Sequence, residues 1–188
     1  MYKSLVVFLK SKNIEDDKLK TICSFFKFKK ANRNEILVDY NDVCQHYYFV
    51  NKGCLRLFTV NKDGIENSRY FAFEGIFGTA LPSFIDQKPA LEYLQSIEKS
   101  ELLVIKRKDF FYLVDTYPEF LAIYREILEL GFINAQQRIY GFQGLDAFEK
   151  VSWTIKNNPK LLLRISNKMA ASYLGMSPST LSRMKAKL

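Results

Sequence analysis

Ser166, Lys168, Ser177, Ser179, Thr180, Ser182, Arg183, Lys185 and Lys187 gather hydroxyls, ammonium groups and one guanidinium near the end of the chain, with no carboxylate among them. Such a set donates hydrogen bonds and neutralises negative charge; it holds neither the paired carboxylates nor the nucleophile and base that breaking a bond requires. The charge balance says the same. Lys+Arg number 28 and Asp+Glu 20, for a formal net charge of +8. Residues 1–149 hold twenty of each sign, so the entire excess lies in residues 150–188, on Lys150, Lys156, Lys160, Arg164, Lys168, Arg183, Lys185 and Lys187, without one acid. A basic, acid-free segment beside a neutral body is the electrostatic pattern of polyanion binding, because each phosphate neutralised releases condensed counterions. A solvated basic face or a membrane-surface patch would carry the same charge, but the segment lacks the long Lys-rich amphipathic helix that membrane binding favours.

Two short helices are needed to position these side chains. Met169, Ala170, Tyr173 and Leu174 recur at the spacing of one apolar helical face, and Ala171 is small enough to let a second helix cross closely. Gly175 supplies the left-handed residue of a tight turn, and Met176 fills the angle behind it. Ser177 is a good N-cap and Pro178 a good first helical residue. Leu181, Met184 and Leu188 then form an inward stripe, leaving Ser179, Ser182, Arg183 and Ala186 outward. A helical hairpin inside a core would share this spacing; the charge is what sets this one apart.

The remainder excludes several chemistries. His46 is the only histidine, so a metal site built on two or more histidines cannot be assembled from one chain. Cys23, Cys44 and Cys54 are odd in number and lack metal-type spacing, which suits reduced thiols packed as small apolar residues. No phosphate-binding glycine loop is present. The expectation is a protein with no catalytic activity, no metal and no cofactor. The run Leu5 to Leu9 is too short for a secretion signal and no stretch approaches a membrane span, which points to a cytoplasmic protein without membrane contact.

Between Lys27 and Ile105 the chain reads as short strands, best seen in ILVDY, HYYFV, CLRLFTV, SRYFAF and ELLVI, with turns at 61–64 and 74–75. That spacing predicts a barrel or jelly roll. A helical pattern precedes it over Ile14 to Phe26. From Pro118 a long helix carries two apolar stripes, Phe120, Ile123, Ile127 and Leu130 beside Leu121, Tyr124, Leu128, Phe132 and Ala135. One stripe would cover the barrel and the other meet a partner, or the helix is buried on both sides within one chain. Gly141 and Gly144 mark a break, followed by a helix over Asp146 to Ile155 and a turn at 157–159. The expected class is α+β: an N-terminal double-stranded β-helix, or jelly-roll, domain over 1–117, a long helix over 118–143, and a C-terminal helix-turn-helix domain over 144–188.

This order resembles the Crp/Fnr family of bacterial transcription regulators. Tyr47-Tyr-Phe-Val-Asn-Lys-Gly53 is similar to the family's strand ending in Lys-Gly, and Asp63-Gly-Ile-Glu66 with Phe73-Glu-Gly-Ile-Phe-Gly78 to its next hairpin. Leu163-Arg-Ile-Ser166 with Ala171-Ser-Tyr-Leu-Gly-Met-Ser-Pro-Ser-Thr-Leu-Ser-Arg183 resembles its DNA-binding half, especially the versions common in Bacteroidetes. The resemblance implies a sensor domain over 1–117, a dimerisation helix over 118–143 through which a homodimer meets at Phe120, Ile123, Ile127 and Leu130, and a DNA-binding domain over 144–188 without a full wing, with double-stranded DNA as ligand and RNA polymerase as a further partner. It makes the helix from Pro178 the recognition helix, lying in the major groove. Arg183 falls where the family keeps an arginine, suited to guanine or a bridging phosphate. Ser179 departs from the glutamate many relatives carry. Ser166, Lys168, Ser177, Thr180, Lys185 and Lys187 suit phosphates, with Pro178, Ser179 and Ser182 completing the expected surface.

The sensor departs further from the pattern. Relatives that bind cyclic AMP carry a Gly-Glu pair and, several residues on, an arginine followed by Ser or Thr; here Gly78 is followed by Thr79 and Ala80, and Lys88 is the only basic residue between Thr79 and Ile97. Cyclic AMP is therefore not expected to bind. An unknown small, more apolar effector would instead touch Phe73, Phe77, Gly78, Thr79, Ala80, Leu81, Leu91, Glu92 and Tyr93, or side chains fill the pocket. The alternative to a DNA-binding regulator is a ligand-binding or interaction module that has lost specific DNA recognition.

Overall fold

A computed structural model describes residues 2–187. Helices α1 (Lys3–Ser11) and α2 (Asp16–Ser24) lead into strands β1 (Lys27–Ala31), β2 (Ile36–Val38), β3 (His46–Lys52), β4 (Leu55–Val60), β5 (Glu66–Ala72) and β6 (Phe77–Gly78). Helix α3 (Leu81–Asp86), strands β7 (Tyr93–Ser96) and β8 (Ser100–Lys106), and helix α4 (Arg107–Thr116) follow. The chain then continues as α5 (Pro118–Gly144), α6 (Ala147–Asn157), α7 (Leu161–Arg164), α8 (Asn167–Leu174) and α9 (Pro178–Lys185).

The strands form two four-stranded sheets, ordered β1-β8-β3-β6 and β2-β7-β4-β5. This is the expected α+β jelly-roll architecture. Each of the five strand-like runs contains a strand. The turn at 61–64 is held by Asn61, whose side-chain oxygen accepts from the main-chain N–H groups of Asp63 and Ile65, with Gly64 in the left-handed region at φ 76°.

Strand alternation decides what each face does. Phe49 lies opposite Leu103 and Phe77, and Tyr48 opposite Val104 and Gly78. Tyr47 and Phe49 turn to the helix-covered face: Phe49 meets Phe8 of α1, and Tyr47 meets Phe84 of α3 and Phe110 of α4, at centroid separations of 5.0 to 5.7 Å. Tyr48 turns the other way, into the sandwich, where its hydroxyl donates to the Leu37 carbonyl of the opposite sheet at 3.2 Å. Burial and nearby negative charge raise the Tyr48 hydroxyl far above the ordinary tyrosine range, so it stays a donor.

Helix α1 was not anticipated: the apolar run at its centre hid a face on which Leu5 and Leu9 are fully buried. The break expected at Gly141 is absent, because α5 runs unbroken to Gly144. Asp146 then caps α6 in a capping box, its side chain accepting from the Glu149 N–H while Glu149 accepts from the Asp146 N–H.

By its contacts the chain divides into two units. One comprises the chain up to Leu57 and Phe71–Leu128; the other comprises Phe58–Tyr70 and the chain from Glu129 onward. No helix among the described residues is long and apolar enough to cross a membrane, and none of their His, Cys, Asp and Glu side chains form a group of three able to hold a metal ion.

Candidate nucleic-acid interface

The expected hairpin of helices is built from local capping. The Ser166 hydroxyl accepts from the Met169 N–H at 3.2 Å and starts α8. Gly175 ends it at φ 66°, with the Met176 N–H donating to the Ala171 carbonyl at 3.0 Å and the Gly175 N–H to Ser172, the paired bonds of a Schellman turn. Ser177 restarts the chain as α9, its hydroxyl accepting from the Thr180 N–H at 3.1 Å, with Pro178 in the first turn. Ala170, Ala171, Leu174 and Leu181 are buried between the helices, and α9 packs on both α8 and α6. Leu188, expected to extend the inward stripe, lies outside the described residues.

The outward set is as the spacing implied. Ser166, Lys168, Ser177, Pro178, Ser179, Ser182, Arg183 and Lys187 are exposed, while Thr180 and Lys185 are half-buried. At the start of α9 the Ser177 hydroxyl lies 2.8 Å from that of Ser179 and 2.9 Å from that of Thr180, so three hydroxyls cluster where the first helical N–H groups point outward. Two side chains are already engaged. Ser182 donates to the Pro178 carbonyl at 3.0 Å and accepts from Asn167 at 3.1 Å; Lys185 donates to the Asn167 side-chain oxygen at 3.4 Å. Asn167 also donates to the Pro178 carbonyl at 3.0 Å and thus braces α9 along its length. Its position, one residue after an N-cap serine, gave no sequence signal of this. Arg183 and Lys187 make none of these bonds.

The sensor residues are less gathered than expected. Phe77 does not face the sandwich interior: as the register partner of Phe49 it packs with Phe8, Phe26, Tyr47 and Phe49 under the helices. Gly78, beside Tyr48, does face inward, but a Cβ there would sit 3.3 Å from the Ala72 Cβ and 3.5 Å from Leu55, so side chains fill the interior at that level. Thr79 donates to the His46 carbonyl at 2.8 Å and touches the Cys44 sulfur, and Ala80 is buried at the start of α3. Leu91 is 71% exposed and lines nothing; Tyr93 packs against Tyr40 at 6.0 Å. Phe73 and Leu81 are half-buried and Glu92 is buried. A cleft of about 270 Å³ opens elsewhere, lined by Lys29, Ile36, Leu37, His46, Tyr48 and Val104, none of them in the expected set. Burial and the nearby Lys106 and Lys29 lower the pKa of His46 there, keeping it neutral. Arg56 is fully buried in β4, outside the Thr79–Ile97 stretch.

The long helix also differs from expectation in which stripe it spends. Phe120 and Ile123 are buried in their own unit, Phe120 edge-on to Phe110 at 5.4 Å, so neither is available to a second chain. Ile127 is half-buried and Leu130 exposed. Of the other stripe, Leu121, Phe132 and Ala135 are exposed, Phe132 at 65%, while Leu128 is half-buried and Tyr124 packs edge-on to Phe110; Ile139, beyond the stripe, is exposed too.

Residues 28–117 match the cyclic nucleotide-binding domain. No curated protein sequence matches the chain. Among solved structures, the chain is similar to the c-di-GMP responsive global regulator CLP of Xanthomonas campestris, with a TM-score of 0.73 and 16% identity over 92% of this chain and 91% of that one. FixK2 of Bradyrhizobium japonicum gives a TM-score of 0.76 and 15% identity over 87% and 84% of the two chains. A transcriptional regulator of the Crp/Fnr family from Eubacterium rectale gives 0.70 and 16% over 93% and 83%. Residues 28–117 are thus similar to a cyclic nucleotide-binding domain, and the chain has the fold of the Crp/Fnr regulators.

Proposed function

We propose that the protein is a sequence-specific, double-stranded-DNA-binding transcription regulator without catalytic activity. The observation that carries this reading is the capped helix α9, which leaves Ser179, Ser182 and Arg183 outward on a segment that holds all the chain's excess positive charge and no acid. Arg183 reads a base edge in the major groove; Ser166, Lys168, Ser177, Thr180 and Lys187 hold phosphates and fix register. Lys185 does so while tethered to Asn167. Pro178 sets the start of the helix.

The protein acts as a homodimer. Leu121, Leu128, Phe132, Ala135 and Ile139 repeat at intervals of seven, four, three and four along α5, the spacing of a helix–helix seam. Ile127 and Leu130 flank that seam. A signal at the sensor shifts the helix pair and resets the distance between two recognition helices, which must span about one turn of DNA, ~10 base pairs. Phe132→Glu puts a charge in the seam and is expected to shift the chain from dimer to monomer in light scattering; an unchanged mass would remove α5 from the interface. The signal is not cyclic AMP. No arginine stands between Thr79 and Ile97, and the hydroxyl of Thr79 is already bonded to His46. Contact with RNA polymerase and a cytoplasmic location follow from this role.

Gel shifts against fragments of the source genome, with calorimetry against cyclic AMP, test the reading. Retention of a discrete subset of fragments and no heat of nucleotide binding are expected. Failure to retain any fragment would favour an interaction module without DNA recognition, and micromolar nucleotide affinity would overturn the sensor assignment.

A further inference from the structure

Arg138 is held by several polar and aromatic contacts within the second unit. Its stem belongs to α5. Its guanidinium donates to the main-chain carbonyls of Ser68 at 3.2 Å, of Arg69, and of Tyr173 at 3.0 Å. Two aromatic rings hold the same group: its central carbon lies 4.2 Å from the Tyr173 ring centre and 4.9 Å from that of Phe142. Beside it the Ser172 hydroxyl accepts from the Ser68 N–H at 3.1 Å and lies 2.6 Å from the Ser68 hydroxyl.

Three elements therefore meet at one side chain: β5 through two carbonyls, α5 through the stem, and α8 through a carbonyl of its last turn. That last carbonyl is one the helix cannot satisfy internally, and it sits at the negative end of the helix dipole. A planar fork spreads five donors over three nitrogens and so reaches carbonyls on two separate elements in fixed directions, whereas an ammonium must serve them from a single nitrogen. Tyr173 lies two residues before Gly175, where the chain turns toward α9. Whatever fixes Tyr173 fixes the direction in which α9 leaves that turn.

We infer that Arg138 is a positioning residue for DNA reading: it ties the turn end of α8 to strand β5 and helix α5, and so sets the orientation of the recognition helix. The inference rests on the DNA-reading role proposed above. It also identifies the route of control. Strand β5 continues into the sensor unit beyond Tyr70, and α5 enters from it after Leu128. Of the three covalent connections between the units, those through β5 and α5, though not the one through β4 after Leu57, converge on this guanidinium, so a displacement of that strand or helix is delivered to α8. Arg138 itself touches no DNA; it acts through Tyr173.

The test uses the full chain as Arg138→Gln and Arg138→Lys, each titrated against a selected operator and against random DNA, with amide hydrogen exchange followed on peptides 169–177 and, as control, on β3 (His46–Lys52) and β8 (Ser100–Lys106). Arg138→Gln is expected to lose about tenfold in operator affinity with random-DNA affinity changed less than about twofold, because orientation matters to base contacts far more than to charge. Peptide 169–177 is expected to exchange about tenfold faster while the control peptides stay unchanged. Arg138→Lys, which keeps the charge but gathers its donors on one nitrogen, falls between. Equal loss on operator and random DNA, or unchanged exchange over 169–177, overturns the inference. Should the unaltered chain itself fail to tell operator from random DNA, the DNA-reading role falls, and the exchange measurement alone decides whether Arg138 holds α8.

Discussion

The barrel and the helix pair treat their motif residues in opposite ways. In the barrel, residues that match a ligand cassette by position are consumed by the fold: Phe77 packs among four aromatic rings, Thr79 bonds a neighbouring strand, and Leu55 and Ala72 close on Gly78. In the helix pair, the apolar residues complete a small core and the motif residues are left outward. The difference is one of geometry. A two-helix unit buries one stripe and must expose the other, whereas β3 and β6 lie between the opposite sheet and the covering helices, so a residue leaving the ligand side there only moves to a second core.

The comparison can be broken at either end. Phe77→Ala should be the largest effect, a loss of ~3 to 5 kcal/mol in chemical denaturation, because it empties the centre of an aromatic cluster. A change within a few tenths would return Phe77 to a ligand pocket. Arg183→Ala should leave stability alone and weaken operator binding by ~1 to 3 kcal/mol while sparing random DNA. Lys187→Ala should act more weakly and uniformly, lowering affinity for every sequence and reducing the salt slope by about one. If Arg183 and Lys187 behave alike, the division between reading and positioning is wrong.

The smallest effect concerns acid. Lys29 at 2.8 Å and the Asn32 N–H hold the Glu35 carboxyl below the usual carboxylate range. This pair stabilises the barrel above the ordinary carboxylate pKa of about 4.3 and ceases to do so as pH falls through the lowered value. The groups are only half-buried and screened by solvent, so the contribution is small. Glu35→Gln should flatten the stability profile slightly below that range and leave neutral pH nearly unchanged; an unaltered acid limb would assign the slope to other carboxylates.

What could be read beforehand follows the range of the interactions. Ser177, Pro178 and Gly175 declare a helix start and stop through bonds only a few residues apart, and the structure places the caps there. The strand runs were equally visible, but not which face of each strand looked inward, because that depends on the register of Phe49 against Phe77 and Leu103. The two stripes of α5 looked alike in composition. Phe110, contributed by an unanticipated helix, decided that Phe120 and Ile123 would be covered. Arg138 was least legible of all: its partners are main-chain carbonyls 69 or more residues upstream and 35 downstream, and carbonyls carry no side-chain signature.

The central claim is that the acid-free helix pair reads a defined DNA sequence. Binding-site selection from a fully random duplex pool, with the purified full-length chain at physiological salt, tests it most directly. The account predicts enrichment of a two-fold symmetric site whose half-site centres lie about one helical turn apart, ~10 base pairs, and loss of that enrichment in Arg183→Ala. A pool that stays random after repeated rounds, while still binding in a salt-dependent way, would contradict it and leave only nonspecific attraction of a basic surface to polyanions.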